Sequence, residues 1–329
     1  MKSIAKTLII ATALTSFTVS VPMEILKRQT VFNAATVLGC VCKDALEIPG
    51  LIPSLVVKEI TFDFTTNDPW LPIISSAGIV GTTITLGVPN TVSLLSIHAD
   101  VIDDKAIIGR IETPDSFASA SGSLVTTTFK PVPMPVPMDA HDAFSATVTA
   151  LFRSEAINIR FRGTLDATFQ LPFPFKKATI KGIAFDCNNV FAGMSGMNDV
   201  TFVNLVSNTM DDANKKQTIT FKVNIKSSSA IGIKAGDFTF NSVGPAGPIG
   251  TTTFKDFNLK SGDNILTAIA VIDLSLPGAT EFISGLDTAS ATVILIGSGS
   301  SPANAALLPA IQVMKFNVVI PQKFTLNTV

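Results

Sequence analysis

Apolar and polar residues alternate along much of this chain with a period of two. In "FKVNIK", Phe221, Val223 and Ile225 alternate with Lys222, Asn224 and Lys226, and in "INIRFR" Ile157, Ile159 and Phe161 alternate with Asn158, Arg160 and Arg162. Successive side chains of an extended strand point to opposite faces, so both runs predict strands with one dry and one wet face. A period near 3.6 occurs only in short pieces, "LPGATEFISGL" (276–286) and "SPANAALL" (301–308). The pattern predicts an all-β fold with short helices only in connections.

The pentapeptide "TTTFK" stands at 126–130 and again at 251–255. On a strand, its Phe and middle Thr share one face, and the outer threonines and Lys share the other. Neighbouring features recur in the same order. "EITFDF" (59–64) is answered by "DVTFVN" (199–204), "TITLGV" (83–88) by "TITFKV" (218–223), "SIHAD" (96–100) by "GIKAGD" (232–237), and "GTLDATF" (163–169) by "GLDTASATV" (285–293). Ordered matches with drifting offsets predict a duplicated unit with loop insertions. The expected domains are β-sandwich module 1 (57–186), a linker (187–198), β-sandwich module 2 (199–323) and a tail (324–329), each module enclosing its own apolar interior. Modules of this length with six to eight short strands suit a sandwich.

"PVPMPVPM" (131–138) has proline at every second position. On an extended chain the missing N–H groups all fall on one side, while Val132, Met134, Val136 and Met138 keep donors on the other. Such a segment pairs with one neighbour and not two, which predicts an edge strand that cannot recruit another chain. A polyproline ligand for a partner domain is the competing reading.

The N-terminus changes the picture from fold to destination. Lys2 and Lys6 precede the apolar run "TLIIATALTSFTVSV" (7–21), which ends in small residues and predicts a signal peptide over 1–20. A signal-anchor competes with it, although the run is short for a span. Residues 21–56 form an N-terminal segment in which "LKRQ" (26–29) resembles a dibasic processing site or is an ordinary charged linker. The expected location is extracellular, or vacuolar or membrane-anchored if the signal is not cleaved.

Composition adds exclusions. Charged residues make up 15% of the chain, below the usual ~25%. The net charge is −1 with scattered lysines, so neither nucleic acid nor an anionic membrane surface is an expected partner. Past the leader, no stretch is long and apolar enough to span a bilayer.

Three cysteines are present, Cys40 and Cys42 in "GCVCKD" and Cys187 in "FDCNNV". C-x-C without a nearby His lacks zinc-knuckle spacing, so no metal site is expected. Residues two apart on an extended chain have the wrong geometry to bridge each other. The sequence therefore suggests a disulfide from one of the pair, Cys40 first, to Cys187; three buried free thiols are the alternative.

Catalytic signals are missing. The histidines, His98 and His141, lie in a strand-like run and in "MDAHDAF", which reads as a polar turn. "GMSGM" (193–197) misses the spacing of a nucleophile elbow. "GSGSSP" (297–302) lacks the third glycine and Lys of a phosphate loop, and "MDDANKK" (210–216) lacks calcium-loop spacing. With 23 Phe, one Trp and no Tyr, the chain is poor in rings with a polar handle. Trp70, in "NDPWLP", reads as a core anchor, a plug at the mouth of module 1, or a pin at the domain junction.

The order of strand motifs resembles the type-2 late-embryogenesis-abundant (water-stress and hypersensitive-response) domain, and in particular fungal secreted, vacuolar or membrane-anchored proteins that carry it in tandem. The likeness lies in "IGIKAGDFTFNSVGPAGPIGTTTFKDFNLKSGDN" (231–264), where a strand, a turn, an "IGTTT" strand and "L-x-x-G-x-N" follow one another. In module 1 "NDPWLP" and the Pro/Met run depart from the pattern. The resemblance implies a β-sandwich fold with lipid or surface association, and it brings no catalytic residues. The sequence thus suggests a non-enzymatic structural or surface-associated protein without cofactor, its partner a lipid or cell-surface component. Competing readings are a lipid-binding module with an apolar groove lined by Ile231, Ile233, Phe238 and Phe240, and, after it, a hydrolase. Oligomeric state is left open.

Overall fold

The structure is a computed structural model that describes residues 40–41, 54–57, 59–82, 91–103, 106–121, 124–170, 177–195, 200–286, 289–298 and 305–321. These residues are mostly strand, with three short α-helices in connections, and the strands are linked into one large sheet.

In the first half, β1 (Cys40–Val41) pairs β2 (Ser54–Val57). β2 and β3 (Ile60–Asp63) pair successive stretches of β4 (Ile73–Thr82) and act as one interrupted strand. β5 (Thr91–Ile102) is followed by β6 (Ile107–Glu112) and β7 (Ser116–Ser121), which occupy successive stretches of one β5 edge. β7 also pairs β8 (Leu124–Pro133), and β8 pairs β4. Helix α1 (His141–Arg153) leads to β9 (Ala156–Gln170), which lies between β5 and β10 (Lys177–Ala192).

The second half contains β11 (Val200–Asp211), β12 (Lys216–Ser227), β13 (Ile231–Gly244), β14 (Gly247–Leu259), β15 (Gly262–Asp273), α2 (Pro277–Leu286), β16 (Ala291–Gly297), α3 (Leu308–Val313) and β17 (Lys315–Ile320). Its ladder runs β11-β12-β15-β14-β13-β16-β17. With the two-residue β1 set aside, and β2/β3 and β6/β7 each taken as one strand, the first half has the same order. In both, the pairing runs first, second, fifth, fourth, third, sixth, seventh, and a helix joins the fifth strand to the sixth.

The second ladder curls until its ends meet, and in the first half β1, paired to β2, closes the gap to β10. β11 lies against β17, and β1 lies against β10. The curl is visible in the second interior, where Phe316 of β17 sits 4.9 Å from Phe240 of β13 and 5.8 Å from Phe254 of β14. Phe238 and Phe257 stack beside them at 4.4 Å. All five rings are buried, and each contributes on the order of 1.5–3 kcal/mol of apolar burial.

Several expectations are corrected. The two interiors are not separate: buried side chains from both halves form one continuous cluster. The two "TTTFK" copies have the local geometry read from sequence, with Thr127, Phe129, Thr252 and Phe254 buried and Lys130 and Lys255 exposed. They nevertheless occupy different places, the first on β8 (fifth strand) and the second on β14 (fourth), so this repeat is a product of strand-forming composition. "MDAHDAF" is no mere turn: after a single 3-10 turn (Met138–Ala140) it opens the 13-residue helix α1. β10 continues to Ala192, so residues 187–192, expected in the linker, are strand.

The proline run behaves as its spacing predicts. Val132, Met134 and Val136 are buried, while Pro131, Pro133, Pro135 and Pro137 are exposed. The N–H of Met134 donates to Pro72 O (2.8 Å) and that of Val136 to Trp70 O (2.9 Å), so the retained donors all serve one neighbour. Met138, expected on the packed side, is 86% exposed because the chain has already turned into the 3-10 segment.

Candidate functional site at the junction of the halves

β13 carries both halves on a single edge. Its first residues, Ile231–Lys234, pair in parallel with Ile60–Asp63 of β3, and further along the same edge Phe240–Val243 pair with β16. Backbone bonds from Ile60 N–H to Ala230 O (3.0 Å) and from Phe64 N–H to Lys234 O (2.7 Å) frame the splice. Gly232 makes this approach feasible. A Cβ there would stand 2.9 Å from Thr61 Oγ1 and 3.0 Å from Leu259 O, tighter than ordinary packing allows.

Asp63 closes the splice electrostatically. It accepts from Thr65 N–H (2.9 Å), Thr65 Oγ1 (2.6 Å) and Lys234 Nζ (2.9 Å). Burial pushes its carboxyl up, but the hydrogen bonds from Thr65 and Lys234 and the lysine's charge outweigh that and hold it below the ordinary aspartate value.

On the other side of the junction α1 packs against α3 and the 3-10 turn Ala305–Leu307 that precedes it. Phe144, Ser145, Val148, Leu151 and Phe152 are buried, at spacings that form one stripe of a helix. Asp142 in the first turn and Arg153 in the last complement the helix dipole. Ser145 Oγ donates to Ala306 O (3.2 Å), and Phe144 touches Phe64, which follows β3 (ring centroids 6.1 Å apart).

Trp70 stands at the rim. Asp68 Oδ1 accepts the Trp70 N–H (2.9 Å) and shapes the turn, and the indole stacks on His141 at 3.6 Å with the rings 6° from parallel. Between this pair and α3 runs an open groove of about 820 Å³, lined by Trp70, Asp142, Ser145, Thr149, Arg153 and Pro309 among others. Asp142 and Arg153, near opposite ends of α1 and about 16 Å apart along its axis, are the charged residues lining the groove.

The residues expected to line an apolar groove lie elsewhere. Ile231 and Ile233 face β3 at the splice, Phe238 and Phe240 belong to the ring cluster, and all four are 1% exposed or less. The apolar cavities in the second-half and first-half parts of the core measure about 40 and 50 Å³, whereas roughly 150 Å³ holds one benzene. His98 is exposed on β5 opposite Glu112, well removed along the chain from the Trp70–His141 stack. Cys40 begins β1 and Cys187 lies in β10, strands that are in contact. Cys42 lies outside the described residues. Among those residues no group of three or more His, Cys, Asp or Glu is placed to hold a metal ion.

Sequence reasoning missed the Trp70–His141 stack and the Asp63–Lys234 pair, both of which join distant segments. The spacing of Phe144, Val148, Leu151 and Phe152 was the available signal for α1.

No protein-family model matches the chain, and no curated protein matches it in sequence. Among solved structures, the exo-chitosanase CsxA of Amycolatopsis orientalis is similar over 76% of this chain at 12% identity, with a TM-score of 0.21. The chain spans about a quarter of that protein's length (26%). A likeness this distant carries no argument about fold or activity.

Proposed function

We propose that this chain is a secreted, non-enzymatic structural or surface-associated protein, built from two β-sandwich modules that descend from one duplicated unit and are held as a single stiff body. The single observation that carries the reading is β13, hydrogen-bonded on one edge to strands of both halves. An enzyme or transporter that works by domain closure needs a hinge, and relative motion is the default where domains share only a modest interface. Here a parallel strand pair and a helix pair clamp the boundary from two sides. A common strand order supports duplication better than the repeated pentapeptide does. It is also the order in which the ABED and CFG sheets of immunoglobulin-type sandwiches are threaded. The type-2 late-embryogenesis-abundant resemblance belongs to the same proposal.

Small-angle scattering of the purified protein tests the stiff-body reading. A profile fitted by one fixed arrangement is expected, and a profile that requires a spread of distances between the halves overturns it. Native mass spectrometry followed by lipid extraction tests the structural role. A clean protein mass is expected, and near-stoichiometric acyl chains would replace this reading with a lipid carrier.

A further inference from the structure

The outer face of the sheet β6-β5-β9-β10 carries a row of charges in a self-complementary order. In register across the strands stand Arg110 on β6, Asp100 on β5, Arg162 on β9 and Asp186 on β10. Residues directly opposite in antiparallel pairs share a face, and here it is the outer one. Arg110 and Arg162 are exposed and the two aspartates half-buried, whereas their chain neighbours Ala99, Ile111, Phe161 and Phe185 are buried. Across four strands the signs therefore run plus, minus, plus, minus.

Within the chain this row is only partly satisfied. Arg110 Nε donates to Asp100 Oδ1 (3.0 Å), and Asp186 pairs with Arg160, one row along, rather than with Arg162. Oδ2 of Asp100 and the guanidinium of Arg162 make no ion pair or side-chain hydrogen bond among the described residues. Arg162 acts on Asp186 through its charge alone.

An alternating row with an even number of members fits a copy of itself. Let a second copy be turned about a two-fold axis in the contact plane, parallel to the strands and midway between β5 and β9. The first position then meets the fourth, and the second meets the third. Arg110 faces the partner's Asp186 and Asp100 faces the partner's Arg162, each contact occurring twice, as a closed isologous pair requires. The two uncommitted groups are the ones that meet at the centre. Neighbouring rows raise no conflict: Glu112 meets the partner's Ala184, His98 the partner's Thr164, and Arg160 the partner's Ile102. Over these three rows Arg110, Arg160 and Arg162 balance Asp100, Glu112 and Asp186, so two copies approach without net repulsion. Aligned sheets cross at about 30°, and the central contacts tolerate that because each residue stands only about 2.4 Å from the axis, half a strand spacing.

We propose that this face mates with the same face of a second copy of the chain, forming a reversible, salt-sensitive dimer in which Arg162 of each protomer binds Asp100 of the other. The contact is polar throughout, so the pair is transient rather than obligate. It does not depend on the structural role proposed above.

The experiment is sedimentation of the full chain over a range of concentrations at about 0.01 M and about 1 M salt, between which the screening length falls from about 30 to 3 Å. A dimer is expected at low salt, with a dissociation constant that rises roughly tenfold or more at high salt. Arg162→Asp sets like charges together at the centre and should abolish the dimer. Asp100→Arg combined with Arg162→Asp makes the row plus, plus, minus, minus. That order spoils the alternation within the sheet but keeps every contact between copies complementary, so self-association should return. A wild-type chain that stays monomeric at low salt, or associates regardless of salt, overturns the proposal without any variant. So does an Arg162→Asp chain that associates as the wild type does. A folded double variant that remains monomeric also overturns it, because a row that served only its own sheet would lose association in both variants. Circular dichroism melts establish that each variant is folded, and where one is not, the wild-type salt series decides alone.

Discussion

The two halves share one ladder order but treat its exposed places differently. In the first, the fourth strand is broken into β6 and β7 at a segment that contains Pro114, which has no N–H for a ladder. In the second it is the continuous β14. Edges differ as well. β11 carries register shifts at Phe202/Asn204 and Leu205/Ser207, and β17 has only six residues; bulges and brevity both discourage pairing with another chain. The first half relies instead on the prolines at and just beyond the end of β8. Pairing order is thus the feature the halves hold in common, while edges and connections were solved separately in each. For that reason short motif matches were a poor guide to equivalent positions.

Removing a ring from the second interior provides the strongest test of whether the halves behave as one. Phe254→Ala should cost about 3–5 kcal/mol. Trp70, the sole tryptophan, lies in the first half, so its fluorescence reports there while far-UV circular dichroism reports on both. If the halves are one cooperative body, the two signals fall together at one lowered denaturant midpoint. A Trp70 transition that keeps its wild-type midpoint breaks the coupling.

Gly232→Ala addresses the splice itself. The added methyl has no room between Thr61 and the Leu259 carbonyl, and overpacking of this kind costs roughly 1–3 kcal/mol. The expected result is a lowered midpoint together with partial separation of the tryptophan and dichroism transitions. Coincident, unshifted transitions would show that β3 is free to move aside.

The sequence made much of the fold legible where neighbours along the chain decide the outcome. The alternation in "FKVNIK" and "INIRFR" was sufficient because each strand has one buried face, and the spacing of prolines was sufficient because a missing donor is a local fact. α1 was hidden by Thr147, Val148 and Thr149, β-branched residues that suit strands, although their neighbours Phe144, Leu151 and Phe152 kept helical spacing. The junction was not legible at all. Nothing near Asp63 announces Lys234, and nothing in "NDPWLP" announces His141, because these pairs exist only once both ladders have closed. Ile231, Ile233, Phe238 and Phe240 were identified correctly as apolar strand positions, but a strand facing a core and one facing a cavity have the same pattern.

Acid should weaken the splice. The Asp63 carboxyl is held below its unfolded value, so its contribution is fully present above the ordinary aspartate range near pH 4 and is lost as pH falls through the depressed folded value. The pair is partly exposed, with Lys234 47% accessible, which limits the effect to about 0.5–1 kcal/mol. Asp63→Asn should lower stability by that amount at pH 7 and flatten the decline between pH 5 and 3, relative to wild type, by roughly the same amount. An unchanged acid limb would remove Asp63 from the junction's energetics.

The smallest effect on stability is expected at the proline edge, where the effect on association should be plain. Pro133 and Pro135 are exposed, and the neighbouring N–H groups of Met134 and Val136 are already spent on Pro72 and Trp70. Replacing both prolines by threonine leaves those bonds intact and keeps a good strand former, so stability should move by no more than about 0.5 kcal/mol. What changes is the outer rim, which gains two N–H donors facing solvent. Sedimentation velocity at increasing concentration should then show reversible self-association beyond that of the wild-type chain, because an unblocked edge pairs with another copy of itself. The second half, with its edges shortened and bulged, serves as the internal control. Should the double variant sediment as the wild type does, the prolines are not what keeps this edge unpaired, and the contrast drawn between the halves loses its physical basis.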